Sequence, residues 1–159
     1  MTAIVVRHGE NSVSLEAPVT ALRALKALDL TGGPIVAARV TPPGADAAAW
    51  DLDRELPDGA EVATIAADSE EGRAILRHSV AHLMAQAVTD LFPGARWAIG
   101  PPIENGFYYD FDVERPFTAD DLERIEERMR ELMRERQAFR REELSREQAV
   151  EEVADQPYK

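Results

Sequence analysis

The pattern of the chain changes at Asp68-Ser69-Glu70-Glu71-Gly72, and this break limits the possible folds more than any other feature. Ahead of it, apolar residues come in short runs separated by turn residues. Behind it, they recur at helical spacing over longer stretches. A chain of 159 residues with one such break suits two small domains, because about 50 residues already suffice for a domain. We place a first domain at 1–67 and a second at 68–159.

The first domain reads as strands around one helix. Ile4, Val5 and Val6, the polar turn His8-Gly9-Glu10-Asn11, and then Val13 and Leu15 at period two predict a β-hairpin. Pro18-Val19-Thr20 opens a segment with Leu22, Leu25 and Leu28 at helical spacing, ending near Thr31-Gly32-Gly33. Residues 35–40 predict a strand closed by Pro42-Pro43-Gly44, and Trp50-Asp51-Leu52 a short one. After the turn Leu56-Pro57-Asp58-Gly59, residues 61–66 predict a last strand. Two strands, a helix and two or three further strands suggest a ubiquitin-like β-grasp module, although element order alone does not fix the topology.

In the second domain, Ser69 or Asp68 caps a helix that runs to about Leu91, with acidic residues at its positive end. Glu104-Asn105-Gly106 is a hairpin-type turn leading into an aromatic strand from Phe107 to Phe111. Thr118-Ala119-Asp120-Asp121 starts a second long helix, with Leu122, Ile125, Met129, Leu132 and Met133 as its buried stripe. Residues 139–144 are expected to form a strand, and Ser145-Arg146-Glu147-Gln148 caps a final helix. The fold class is α+β in both parts.

Composition removes several functional classes. With 18 Lys+Arg against 30 Asp+Glu, the net charge of −12 opposes non-specific nucleic-acid binding. An RNA contact would need a local patch, for which Arg73, Arg77 and Arg96 are candidates, or a neighbouring domain; scattered arginines on a solvated face are the plainer reading. The absence of cysteine excludes disulfides, a Cys-ligated zinc ribbon and thiol catalysis. No run of about 18 apolar residues is present, so no membrane span is expected. The N-terminus lacks a secretory pattern, and the expected location is the cytoplasm.

Two clusters could carry chemistry. His78 and His82 are i and i+4 on the first long helix, so their rings project from one face. With about 100° per residue from Leu76, they fall near 200° and 240° beside Ala85, Gln86 and Thr89, opposite an expected core stripe of Val80, Leu83, Met84, Ala87 and Leu91. Spacing alone favours a pair of surface histidines and permits a shared zinc. Ser79 stands where a zincin protease needs Glu, which argues against that class. The second cluster, residues 100–110, combines turn residues with Tyr108 and Tyr109, whose rings and hydroxyls could line a site. His8 reads as a solvated turn residue.

The string Arg77-His-Ser-Val-Ala-His-Leu-Met-Ala-Gln-Ala, followed by Ala-Ile-Gly-Pro-Pro-Ile-Glu-Asn-Gly-Phe-Tyr-Tyr-Asp at 98–110, resembles the editing domain of the bacterial threonyl-tRNA synthetase family. Leu56-Pro-Asp-Gly-Ala-Glu-Val and Asp68-Ser-Glu-Glu-Gly resemble the end of that family's N-terminal TGS module, a β-grasp fold. The resemblance implies an amino-terminal piece: a TGS domain, then the first part of an editing domain that stops short. The implied activity is hydrolysis of mischarged Ser-tRNA(Thr), because one methyl group discriminates by only about 1–3 kcal/mol. By the resemblance His78, His82 and Lys159 are catalytic, Tyr109 binds substrate, and the site holds no metal. The family's later Cys-x-x-x-His segment is absent here. No cofactor is expected in this part, while ATP, Mg and zinc are expected for the synthetase domain that is absent. The implied partners are the tRNA(Thr) 3′ end and the remainder of the synthetase chain; the fragment is expected to be monomeric and the parent homodimeric. The fragment alone is expected not to aminoacylate and to edit weakly or not at all. The alternative is a non-catalytic RNA- or protein-binding module. A free-standing hydrolase completed by dimerisation is the weakest reading.

Overall fold

A computed structural model describes residues 2–137 and 141–154. It is a mixed α+β structure that divides into two compact units, Met1–Leu76 and Arg77–Lys159. In the first unit, β1 (Ala3–His8) and β2 (Asn11–Glu16) form the hairpin, α1 (Ala21–Ala27) follows, and β3 (Ile35–Thr41), β4 (Ala48–Trp50) and β5 (Glu61–Ala66) complete a five-stranded sheet. The strand order is β2-β1-β5-β3-β4, with β1 parallel to β5 and every other pair antiparallel. Alternation along the strands sends Ile4, Val6, Ala38, Val40 and Val62 to one face, where they pack with Val19, Ala24 and Leu25 of the α1 segment. Thr20 caps α1 by accepting from the Arg23 amide. His8 is not simply solvated: its ring is half-buried and Nδ1 lies 2.8 Å from the Val62 carbonyl, so Nδ1 carries the proton and donates.

The long helix α2 (Glu70–Leu91) spans the division between the units. Its start lies so close to β5 that a Cβ on Gly72 would come within 2.9 Å of the Ala66 carbonyl carbon. In the second unit follow β6 (Arg96–Trp97), β7 (Pro102–Ile103), β8 (Gly106–Phe107), β9 (Phe111–Asp112), α3 (Ala119–Glu135) and α4 (Arg146–Glu152). The expected aromatic strand is divided between two pairings, β7–β8 across the Glu104-Asn105 turn and β6–β9. Thr118 and Asp121 make the reciprocal capping box of α3, and Ser145 and Gln148 that of α4. Residues 141–144 form no strand, and the rest of the strand expected at 139–144 lies outside the described residues.

Two expected stripes are corrected. On α2 Ala87 is buried and Leu83, Met84 and Leu91 pack against the core as expected, but Val80 is exposed, as is Leu76, and the buried face extends to Ala81, Ala85 and Val88. On α3, Ile125 and Leu132 are buried and Met129 packs against them, but Leu122 and Met133 are exposed. Both lie about 60–80° from Ile125 on one edge of the helix, past the reach of the core. No described helix is long and apolar enough to cross a membrane.

Candidate functional site

The second unit brings His78, His82 and Tyr109 into one neighbourhood. Helical spacing stacks the two imidazoles edge to face, with ring centroids 4.6 Å apart and the two Nε2 atoms 3.1 Å apart. Such a bond needs one ring to donate from Nε2 and the other to accept there, so the pair holds opposite roles at one edge. Both rings are exposed. The His82 ring meets Tyr109 edge to face at 6.5 Å.

Tyr109 is positioned by its surroundings. Its ring stacks on Phe111 at 5.0 Å and 20°, and Trp97 approaches at 6.4 Å. The β6–β9 pairing sets Trp97 opposite Phe111, and the Ala98 amide donating to the Asp110 carbonyl extends that register. Gly100 completes the arrangement, because a Cβ there would stand 2.8 Å from Tyr109 Cγ and closer still to the ring edge. The Tyr109 hydroxyl is buried and has no hydrogen-bond partner among the described residues, and desolvation pushes its pKa up. A buried neutral phenol is a donor waiting for an acceptor.

On the other flank of His82, between α2 and the end of α3, lies a cavity of about 290 Å³. Ser79, His82 and Gln86 line it from α2, and Met133, Arg136 and Gln137 from the other side. Of the face that carries the histidines, His82 and Gln86 line this cavity; His78 does not, Ala85 is buried, and the Thr89 hydroxyl donates to the Ala85 carbonyl. Arg136 and Gln137 were not singled out in the sequence, because they lie some fifty residues from the histidines. The Arg136 backbone is left-handed (φ 50°), the sign of a helix end at which a side chain can be re-aimed. α2 and α3 are joined here by Arg128, which donates to Asp90 at 2.8 Å and to Glu131 at 2.9 Å, bonds that push its pKa up.

The other sequence candidates are distributed as follows. Lys159 lies outside the described residues. The Arg77 guanidinium reaches the Ile103 carbonyl at 3.4 Å, and Arg73 donates to the Asp68 carbonyl, so both serve local structure. For a zinc reading of the histidines, a tetrahedral ion sets neighbouring nitrogens about 3.3 Å apart, close to the observed separation. Among the described residues, however, no group of three or more His, Cys, Asp or Glu side chains could hold a metal.

No family model matches the chain. Among curated proteins it is 46% identical over its whole length to the threonine–tRNA ligase of Mycolicibacterium smegmatis, covering 23% of that protein. It is 55% identical to the threonine–tRNA ligase of Thermobifida fusca over 84% of the chain and 20% of that protein, and 56% identical to that of Streptomyces griseus over 69% of the chain and 17% of that protein. The chain is therefore a homologue of the threonine–tRNA ligases and spans about a fifth of their length.

Proposed function

We propose that the chain is the N-terminal region of a threonine–tRNA ligase, in which a TGS-type β-grasp domain precedes the first part of a site that hydrolyses mischarged Ser-tRNA(Thr). The β2-β1-β5-β3-β4 order, with its parallel central pair and packed α1, supports the β-grasp reading. The observation that carries the editing reading is the His78–His82 pair, 3.1 Å apart at Nε2 and edge-on to Tyr109. Hydrolysis of the seryl ester needs a base for the attacking water, a donor for the carbonyl oxygen and a proton for the departing ribose oxygen. The imidazole that donates within the pair takes the water proton at Nδ1 as oxygen bonds to the carbonyl carbon. The imidazole that accepts within the pair offers its Nδ1–H and, with Lys159 as the cation the family pattern assigns, stabilises the oxyanion. The C–O bond to the ribose then breaks, and the proton returns to that oxygen, leaving free serine. Tyr109 supplies a buried hydroxyl to fix the substrate. The pair works without a metal; ATP, Mg and zinc belong to the rest of the enzyme, as does homodimerisation.

The partners under this reading are the 3′ end of tRNA(Thr) and the remainder of the ligase, in the cytoplasm. Under this reading the 159 residues by themselves neither aminoacylate nor edit efficiently. Incubation with Ser-tRNA(Thr) and Thr-tRNA(Thr) tests this. Slow or undetectable loss of serine agrees with a partial site. Histidine-dependent hydrolysis at the rate of an intact editing domain contradicts it, and loss of threonine as fast as serine contradicts the assigned specificity.

A further inference from the structure

The Tyr109 ring is the outer end of a longer aromatic series. Tyr109 stacks on Phe111 at 5.0 Å, Phe111 meets the Phe117 ring edge to face at 6.0 Å, and Phe117 tilts against Phe92 at 5.2 Å. Phe92, Phe111 and Phe117 all pack against the cluster that holds Val88, Ile125 and Leu132. Phe92 directly follows α2 and is tied to it by its amide, which donates to the Val88 carbonyl at 2.8 Å. His82 stands earlier on the same helix, about 15 Å away along the axis at about 1.5 Å per residue. The series therefore leaves α2 at Phe92 and returns to it where Tyr109 meets His82.

Phe117 joins the two ends of this series. It stands immediately before the Thr118 cap of α3, the position from which an apolar side chain ordinarily packs on the fourth residue of its own helix. That residue, Leu122, is exposed. The cap fixes the backbone beside Phe117, with the Thr118 amide donating to Asp121 at 2.9 Å, while the ring turns to Phe92 and Phe111.

We propose that Phe117 is a positioning residue for the candidate site: its ring holds Phe111 and, through it, sets the Tyr109 ring against His82. The geometry stands apart from the editing reading, and the kinetic consequence rests on it. An aromatic edge against a ring face fixes angle as well as distance, which an aliphatic side chain does not. Without the Phe117 ring, Phe111 tilts, and Tyr109, stacked on it at 20°, tilts with it.

The test compares Phe117→Leu with Phe117→Tyr, which keeps the ring, and with Ile125→Val, which removes one methylene from the same core. In the 159-residue chain, the nuclear Overhauser contact between the Tyr109 and His82 rings should be lost in Phe117→Leu and kept in the other two. In the Mycolicibacterium smegmatis ligase carrying this segment, Phe117→Leu should raise KM for Ser-tRNA(Thr) hydrolysis about three- to tenfold, the worth of one hydrogen bond from Tyr109, at unchanged kcat. Phe117→Tyr should restore KM. A ring contact that survives Phe117→Leu, or is lost equally in Ile125→Val, would overturn the inference, as would an unmoved KM once the contact is lost. Loss of the contact in Phe117→Leu alone, with no Ser-tRNA(Thr) hydrolysis by any form, would leave the placement by Phe117 standing and refute the editing reading.

Discussion

Gly100→Ala should loosen the platform under the candidate site, and the structure sets the size of the effect. The φ of Gly100 lies outside the positive region, so its replacement is a question of space alone. An added Cβ would lie 2.8 Å from Tyr109 Cγ, against a normal carbon–carbon contact of about 3.5 Å, so the ring must retreat by at least about 0.7 Å. It has little room to do so, being stacked on Phe111 at 5.0 Å with Trp97 at its edge. Overpacking of this kind costs about 1–3 kcal/mol. Urea unfolding followed by Trp97 fluorescence in a Trp50→Phe background should show a lower midpoint at unchanged slope. In a Tyr109→Ala background the same glycine substitution should lose most of its cost, because the clash is with that ring. A cost below about 0.5 kcal/mol, or an equal cost in both backgrounds, would refute the proposed role of Gly100.

Gly72→Ala should destabilise the first unit by about 1–3 kcal/mol, since its Cβ meets the Ala66 carbonyl; unfolding followed at Trp50 measures this, and an unchanged midpoint would contradict it. Asp121 is buried and held below the usual carboxylate range by the Arg115 guanidinium, then by the Thr118 amide and hydroxyl. Its folded-state pKa is depressed, so its stabilisation is complete above the unfolded value near about 4 and is lost as pH falls below it. Asp121→Asn should therefore flatten the acid limb of a stability–pH curve, and an unaltered limb would remove Asp121 as its cause. Zinc titrated into the chain and into a His78→Ala/His82→Ala double variant should give matching isotherms. Tight binding lost in the double variant would instead assign the pair as a metal centre.

The regular parts of the fold were legible in the sequence because their signals are local. The turn at Gly9-Glu10 uses a glycine at positive φ, and the cap at Thr20 and the capping boxes at Thr118 and Ser145 sit where their side chains satisfy a backbone end. The buried face of α2 was legible in part: Leu83, Met84, Ala87 and Leu91 face the core as their spacing indicates, but Ala81 and Ala85 are buried while Leu76 and Val80 are exposed, a tertiary outcome that residue size points away from. The histidine pair followed from i,i+4 spacing. The close approach of Gly100 to Tyr109 and the arrival of Arg136 beside Gln86 did not, since both depend on how distant segments pack. His8 shows the same limit, being drawn into contact with the Val62 carbonyl by the parallel β1–β5 pairing.

The role proposed for the His78–His82 face is removal of serine from tRNA(Thr). The most direct test places this chain, in parent and His78→Ala/His82→Ala forms, in the matching segment of the Mycolicibacterium smegmatis threonine–tRNA ligase and measures Ser-tRNA(Thr) accumulation alongside threonylation. Ser-tRNA(Thr) should accumulate only with the double variant, while Thr-tRNA(Thr) is made at the same rate by both. Equal and low Ser-tRNA(Thr) in both forms, from chimeras that threonylate normally, would contradict it.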